Sequence, residues 1–266
     1  MIKNLRTNKI LWILVAILSL IAALIGVFNQ DVYSTVLRPD LLPGTISQDL
    51  ITILAAMALV FLSLKTDDAD TKKQIVVISL LAYIFYGYGI YVIERLYNSL
   101  YLLYMVIFSL SFWALVYSLL SINIDALKNI KAPNWIKNVS AGFLIFTALL
   151  FYFLWTSQLI PLMQTGEKID FLYSIYILDM ALVLPAILIS AVLIIKKNSL
   201  GLVFAPILFI KAFTLLFSVG LGGLLKPLFD ITATPEETVF YLVLSLLFFT
   251  LGAFNFWKIN FDKEST

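Results

Sequence analysis

The chain contains no histidine and no cysteine. Without cysteine there is no thiol nucleophile, no disulfide and no thiolate metal ligand. Without histidine the commonest general base and the usual haem and zinc ligands are gone. Charge is also scarce. Asp, Glu, Lys and Arg make up 13% of the residues, about half the ~25% usual in soluble domains. The net charge of +2 is too small to steer a polyanion, and the basic residues are spread over several short loops, so no nucleic-acid partner is expected. What the 266 residues hold instead is 62% hydrophobic side chains. A soluble sphere of this size could not hide so much apolar surface, and a disordered chain is polar and charged rather than apolar. A polytopic membrane protein remains.

A helix needs about 20 mostly apolar residues to cross hydrocarbon. Eight such stretches occur, at about 10–28, 48–64, 74–93, 97–121, 139–162, 171–195, 201–225 and 237–257. They are too long and continuous for barrel strands, which alternate in short segments. The expected fold is an all-α bundle of eight membrane helices, a single domain over 1–266. The connection 122–138, with Pro133, Asn134 and Trp135, divides it into four helices plus four. A weak duplication over 1–130 and 131–266 is a further expectation. The first stretch follows Lys3, Arg6 and Lys9 like a signal peptide. Its apolar run is longer than a typical signal core, and no small-x-small cleavage site precedes Asn29, so it reads as a retained helix.

Orientation follows from loop Lys and Arg. With the N-terminus inside, the inner side carries thirteen: Lys3, Arg6, Lys9, Lys65, Lys72, Lys73, Lys128, Lys131, Lys137, Lys196, Lys197, Lys258 and Lys263. The outer side carries four, Arg38, Arg95, Lys168 and Lys226. Both termini are therefore expected in the cytoplasm and the chain in a cell membrane.

Ionisable residues deep in a span are costly and mark a bundle interior or a water-filled cavity. Asp179, in YSIYILDMALVLP, and Lys211, in APILFIKAFTLLF, are the two deepest. They lie on consecutive helices at depths that let their heads meet, since Lys211 can extend its stem. Tyr173, Tyr176 and Asp179 form one stripe, and Lys211, Thr214, Ser218 and Gly222 form another. Pro185 and Pro206 each deprive a carbonyl, those of Ala181 and Leu202, of a helical donor. Of the 13 tyrosines, only Tyr117 falls clearly in the inner half. With Gln48, Asp49 and Thr52 at the outer end of the second span, this predicts an outward-facing polar pocket with its floor near Lys211. The aliphatic inner segments 54–64 and 187–195 would close it below. Structural readings compete: an Asp179–Lys211 pair that only sets helix packing, tyrosines as interface anchors, Asp49 as a helix N-terminal carboxylate, and a solvated Glu94–Arg95 turn.

Several segments resemble a family of prokaryotic multi-pass membrane proteins without an assigned activity. They are SQDL at Ser47–Leu50, YIFYGYGIYVI, NSLYLLYMVIFSLSFWAL from Asn98, YILDMALVLPAILI around Asp179 and FAPILFIKA around Lys211. The first begins with Ser47 where the family pattern more often has glycine. The resemblance implies that Gln48, Asp49, Asp179 and Lys211 share a site, and implies no activity.

The expected function is binding of a small polar ligand or ion by Asp179, Lys211, Tyr176, Gln48, Asp49, Tyr104 and Thr214, as a transporter or sensor. Asp179 would take cationic groups or protons, and Lys211 anionic groups. The alternative is a structural or assembly subunit, and a third class is an enzyme acting on a lipid. A retinal Schiff base on Lys211 lacks any wider rhodopsin pattern. An aspartate-pair hydrolase lacks glycine-flanked aspartates. No phosphate loop, dinucleotide fingerprint or metal-binding carboxylate cluster is present, so no cofactor or metal is expected.

Overall fold

The computed structural model describes residues 1–128 and 130–260; Lys263, counted above among the inner charges, lies outside them. The described residues form helices without a β-strand. In chain order these are α1 (Leu5–Phe28), the short α2 (Asp31–Ser34), α3 (Leu42–Lys65), α4 (Thr71–Ile93), α5 (Tyr101–Leu120), α6 (Asn134–Thr165), α7 (Tyr173–Leu178), α8 (Leu184–Ile195), α9 (Ser199–Leu225) and α10 (Pro235–Lys258). α7 and α8 are one helix interrupted by a π turn at Asp179–Val183. Counted that way, eight helices are long and apolar enough to cross a membrane, as the hydropathy of the sequence predicts.

Their ends are set by local chemistry. Pro133, in extended geometry, precedes α6, and Gly166 ends it at φ 71 with its N–H on the Leu162 carbonyl. Asn198 caps α9 by accepting the Leu200 N–H. Pro235 opens α10, with Glu236 and Glu237 in the positive first turn.

Successive spans run antiparallel. At the N-terminal end, Lys3 donates to the Ser121 carbonyl, the Ile2 N–H reaches Gln74, and Lys131 pairs with Asn260. At the opposite end, the Arg38 guanidinium lies over the Phe171 ring and the Tyr173 hydroxyl donates to the Ile93 carbonyl.

Between lipid-solvated helices there is little hydrophobic driving force, so close packing of small residues and interhelical hydrogen bonds hold such bundles together. α1 turns a buried stripe of Ala16, Ser19, Ala23 and Gly26 inward. On α9, Gly222 touches the backbone of Gly44; a Cβ at 222 would come within 2.8 Å of the Gly44 Cα. Polar clamps join helices toward the end of the bundle that holds the N-terminus, one in each half. Trp12 donates to Ser118, which donates to Asn8. In the second half Asn255 donates to Ser140.

The buried side chains fall into two clusters. One is drawn mainly from α1, α3, α4 and α5, and the other from α6, α8, α9 and α10. α9 joins them, giving Val203 to the first and Phe209 to the second. α4 is the most enclosed span, 72% buried over its apolar window against 28% for α5 and α10. The aliphatic segments 54–64 and 187–195 each have a buried and an exposed face. Leu54, Phe61, Ile189 and Val192 are exposed, while Leu59, Ile187 and Ala191 are buried.

Candidate functional site

Pro185 has no N–H, so the Ala181 carbonyl loses its donor four residues on. The helix answers with the π turn over Asp179–Val183, which ends one residue short of the proline. Such turns are rare and concentrate at functional positions. Here it presents Asp179 to the interior. The Tyr86 hydroxyl of α4 donates to Oδ1 at 2.9 Å and the Trp155 indole N–H of α6 donates to Oδ2 at 3.0 Å. Tyr152 donates to the Met180 carbonyl of the same turn at 3.3 Å.

Lys211 comes from α9 and is 4% exposed. Its Nζ sits 3.8 Å from the centroid of the Tyr86 ring, a cation–π contact. Among the described residues the ammonium makes no hydrogen bond and no direct ion pair, with Asp179 or any other carboxylate. The expected pair is therefore mediated. Tyr86 offers its ring to Lys211 and its hydroxyl to Asp179. Asp179 has both oxygens occupied by protein donors, while Lys211 has three N–H donors and no acceptor.

Asp49 belongs to a different cluster. It is 2% exposed on α3, its Oδ2 accepting from Tyr33 at 2.6 Å and its Oδ1 from Tyr91 at 3.1 Å. The Tyr91 ring packs on those of Tyr33, Tyr88 and Tyr104, the last at 5.0 Å between centroids. Burial, with the Asp49 carboxyl beside it, pushes the Tyr33 phenol well above its usual range, so it stays a donor. Among the described residues no hydrogen bond joins the Asp49 and Asp179 clusters.

The other candidates are distributed between the two clusters or lie outside them. Tyr104 stands beside Tyr91 in the Asp49 cluster and accepts from Asn98 at 3.2 Å. The Gln48 side-chain amide donates to the Gly87 carbonyl at 3.1 Å, and the Gln48 backbone carbonyl accepts from the Tyr83 hydroxyl at 3.1 Å. Thr214 bonds back to the Ile210 carbonyl of its own helix at 2.8 Å. Tyr176 packs edge-on against Trp155 and donates to Gln158 at 2.8 Å. The stripe that runs from Lys211 toward the C-terminal end of α9 faces α3: Ser47 donates to the Ser218 carbonyl, and Gly222 meets Gly44.

Three residues matter more than the sequence suggests. Tyr86 and Trp155 stand out there only as polar aromatics toward one end of their spans. Tyr33, in a polar connection, carries no signal of burial. Glu94 departs from the solvated turn expected of it. It is 6% exposed and accepts the Ser174 N–H at 2.8 Å, stitching the end of α4 to the start of α7, while Arg95 lies over the Tyr173 ring.

A groove of about 630 Å³ opens between the far end of α6 and α7, lined by Leu159, Met163, Glu167, Tyr173, Tyr176 and Met180 among others. It is mostly apolar. Of the seven candidate residues only Tyr176 borders it, so it is not the polar pocket floored by Lys211 that the sequence predicts. No protein-family model, curated protein or solved structure matches the chain.

Proposed function

We propose that this multi-pass membrane protein lies in a prokaryotic cell membrane with both termini cytoplasmic. It binds a small polar ligand or ion at Lys211, reached from the outer side, as a transporter or sensor. The observation that carries this reading is the Lys211 ammonium, enclosed at the middle of the bundle over the Tyr86 ring with no hydrogen-bond acceptor among the described residues. A buried ammonium left with unused donors is costly, and a ligand bearing a carboxylate or other anionic oxygen would supply the acceptor. Asp179, held by Tyr86 and Trp155, sits on the other side of Tyr86 and fixes that ring beneath the ammonium.

Thermal unfolding of the protein in lipid nanodiscs against chloride, phosphate, acetate and amino acids tests the reading. At about 100-fold its Kd a ligand of the native state adds about 2.7 kcal/mol. Stabilisation by at least one anionic or zwitterionic compound, absent in Lys211→Met, is expected. Stabilisation that survives Lys211→Met removes the site from Lys211.

The fully satisfied Asp179 carboxylate favours a second reading, in which Asp179, Tyr86 and Lys211 only fix the packing of α4, α6, α8 and α9. A wild type indifferent to every compound in the panel would favour that structural role.

A further inference from the structure

We propose that Asp49 is a second binding site, separate from Lys211: a buried carboxyl that takes up a proton and is closed by Tyr33. The groups facing it are Tyr33 on α2, Tyr83, Tyr88 and Tyr91 on α4, and Tyr104 on α5, with Gly26 on α1. None is a cation, and among the described residues no Lys or Arg pairs with Asp49. Two phenolic donors soften a buried carboxylate's charge but do not neutralise it.

A metal ion does not fit. Metals of the hard class need several oxygen ligands around them, whereas the Gly26 backbone packs against this carboxylate. A Cβ placed there would overlap both Asp49 Oδ2 and the Tyr33 hydroxyl. A proton needs no such room.

Tyr91 supplies the acceptor that a protonated carboxyl requires. Its hydroxyl lies 3.1 Å from Asp49 Oδ1 and 3.4 Å from the Thr45 carbonyl, so it has two acceptors for one hydrogen. Facing a carboxylate, Tyr91 donates to Asp49. Facing a carboxylic acid, Tyr91 turns its hydrogen to the Thr45 carbonyl and accepts the new Oδ1–H. Tyr33 donates to Oδ2 in both states, and the only net change is the proton gained. The way in is short. Tyr33 is 1% exposed, yet Asp31, Ser34 and Thr35 around it are exposed, so a shift of the four-residue α2 uncovers Asp49.

Infrared difference spectroscopy of the full-length protein in nanodiscs tests this. At neutral pH the wild type should show the C=O stretch of a protonated carboxylic acid, shifting down in D2O. The band should vanish in Asp49→Asn and persist in Asp179→Asn and Lys211→Met, which separates it from the ligand site. Should Asp49→Asn not fold, Tyr33→Phe decides instead. Oδ2 then loses its donor and the band should move to higher frequency, with faster deuterium exchange. Absence of the band at neutral pH, its loss in Asp179→Asn, or a band unmoved by Tyr33→Phe would overturn the proposal.

Discussion

Tyr86 is the residue on which the Lys211 site turns, because one side chain serves two charges by different means. Tyr86→Phe keeps the ring under the ammonium and removes the donor to Asp179. Leaving that oxygen short of a partner should cost about 1–3 kcal/mol, read as a lower midpoint of thermal unfolding. Tyr86→Leu also removes the ring face and should cost roughly 0.5–2 kcal/mol more. If the two variants melt together, the ring contact contributes nothing. Gly26 is the comparable residue at Asp49. In Gly26→Ala the methyl group must displace the Asp49–Tyr33 hydrogen bond. Overpacking of this kind costs about 1–3 kcal/mol, and hydrogen exchange over 29–37 should speed up in the same variant.

At the scale of helices, α3 and α9 offer an internal control. A Cβ on Gly222 meets the Gly44 backbone, which cannot yield, while a Cβ on Gly44 itself meets nothing within 4 Å. Gly222→Ala should therefore destabilise by about 1–3 kcal/mol. Gly44→Ala, in an open helical position, should be neutral or stabilise by roughly 0.5–1 kcal/mol; comparison of the two melting curves checks the α3–α9 contact. The helices themselves were largely legible in the sequence, because length and hydropathy are local properties. Pro185 marked a fault in the sixth span, but not that the fault would be a π turn aiming Asp179 at Tyr86 and Trp155. The shared depth of Asp179 and Lys211 was readable from span direction. The intervening phenol was not, since Tyr86 lies 93 residues from Asp179 in the chain. Tyr33 was unreadable for another reason: aromatic residues in short connections ordinarily serve as interface anchors, whereas here Gly26 leaves room for the hydroxyl beside Asp49.

For the whole molecule the testable quantity is sidedness. The native chain has no cysteine, so single cysteines report cleanly. Ala69→Cys and Glu167→Cys place a thiol in exposed connections at opposite ends of the bundle. The charge bias of the loops predicts that an impermeant reagent added outside intact cells labels Glu167→Cys and spares Ala69→Cys. The reverse pattern would invert the topology and, with it, the side from which Lys211 and Asp49 are reached.

α4 gives Tyr86 to Asp179 and Tyr91 to Asp49. Five residues on a helix span ~7.5 Å of rise and about 140° of turn, so the two phenols leave the rod on different sides. α4 is thus a common axle. A rotation of α4 that drew Tyr86 from Asp179 would also move Tyr91 relative to Asp49. Reciprocity then ties the two sites: if an anion on Lys211 changes the proton affinity of Asp49 by some factor, the proton changes the anion's affinity by the same factor. Two sites with no hydrogen bond between them would in this way stay linked through one helix.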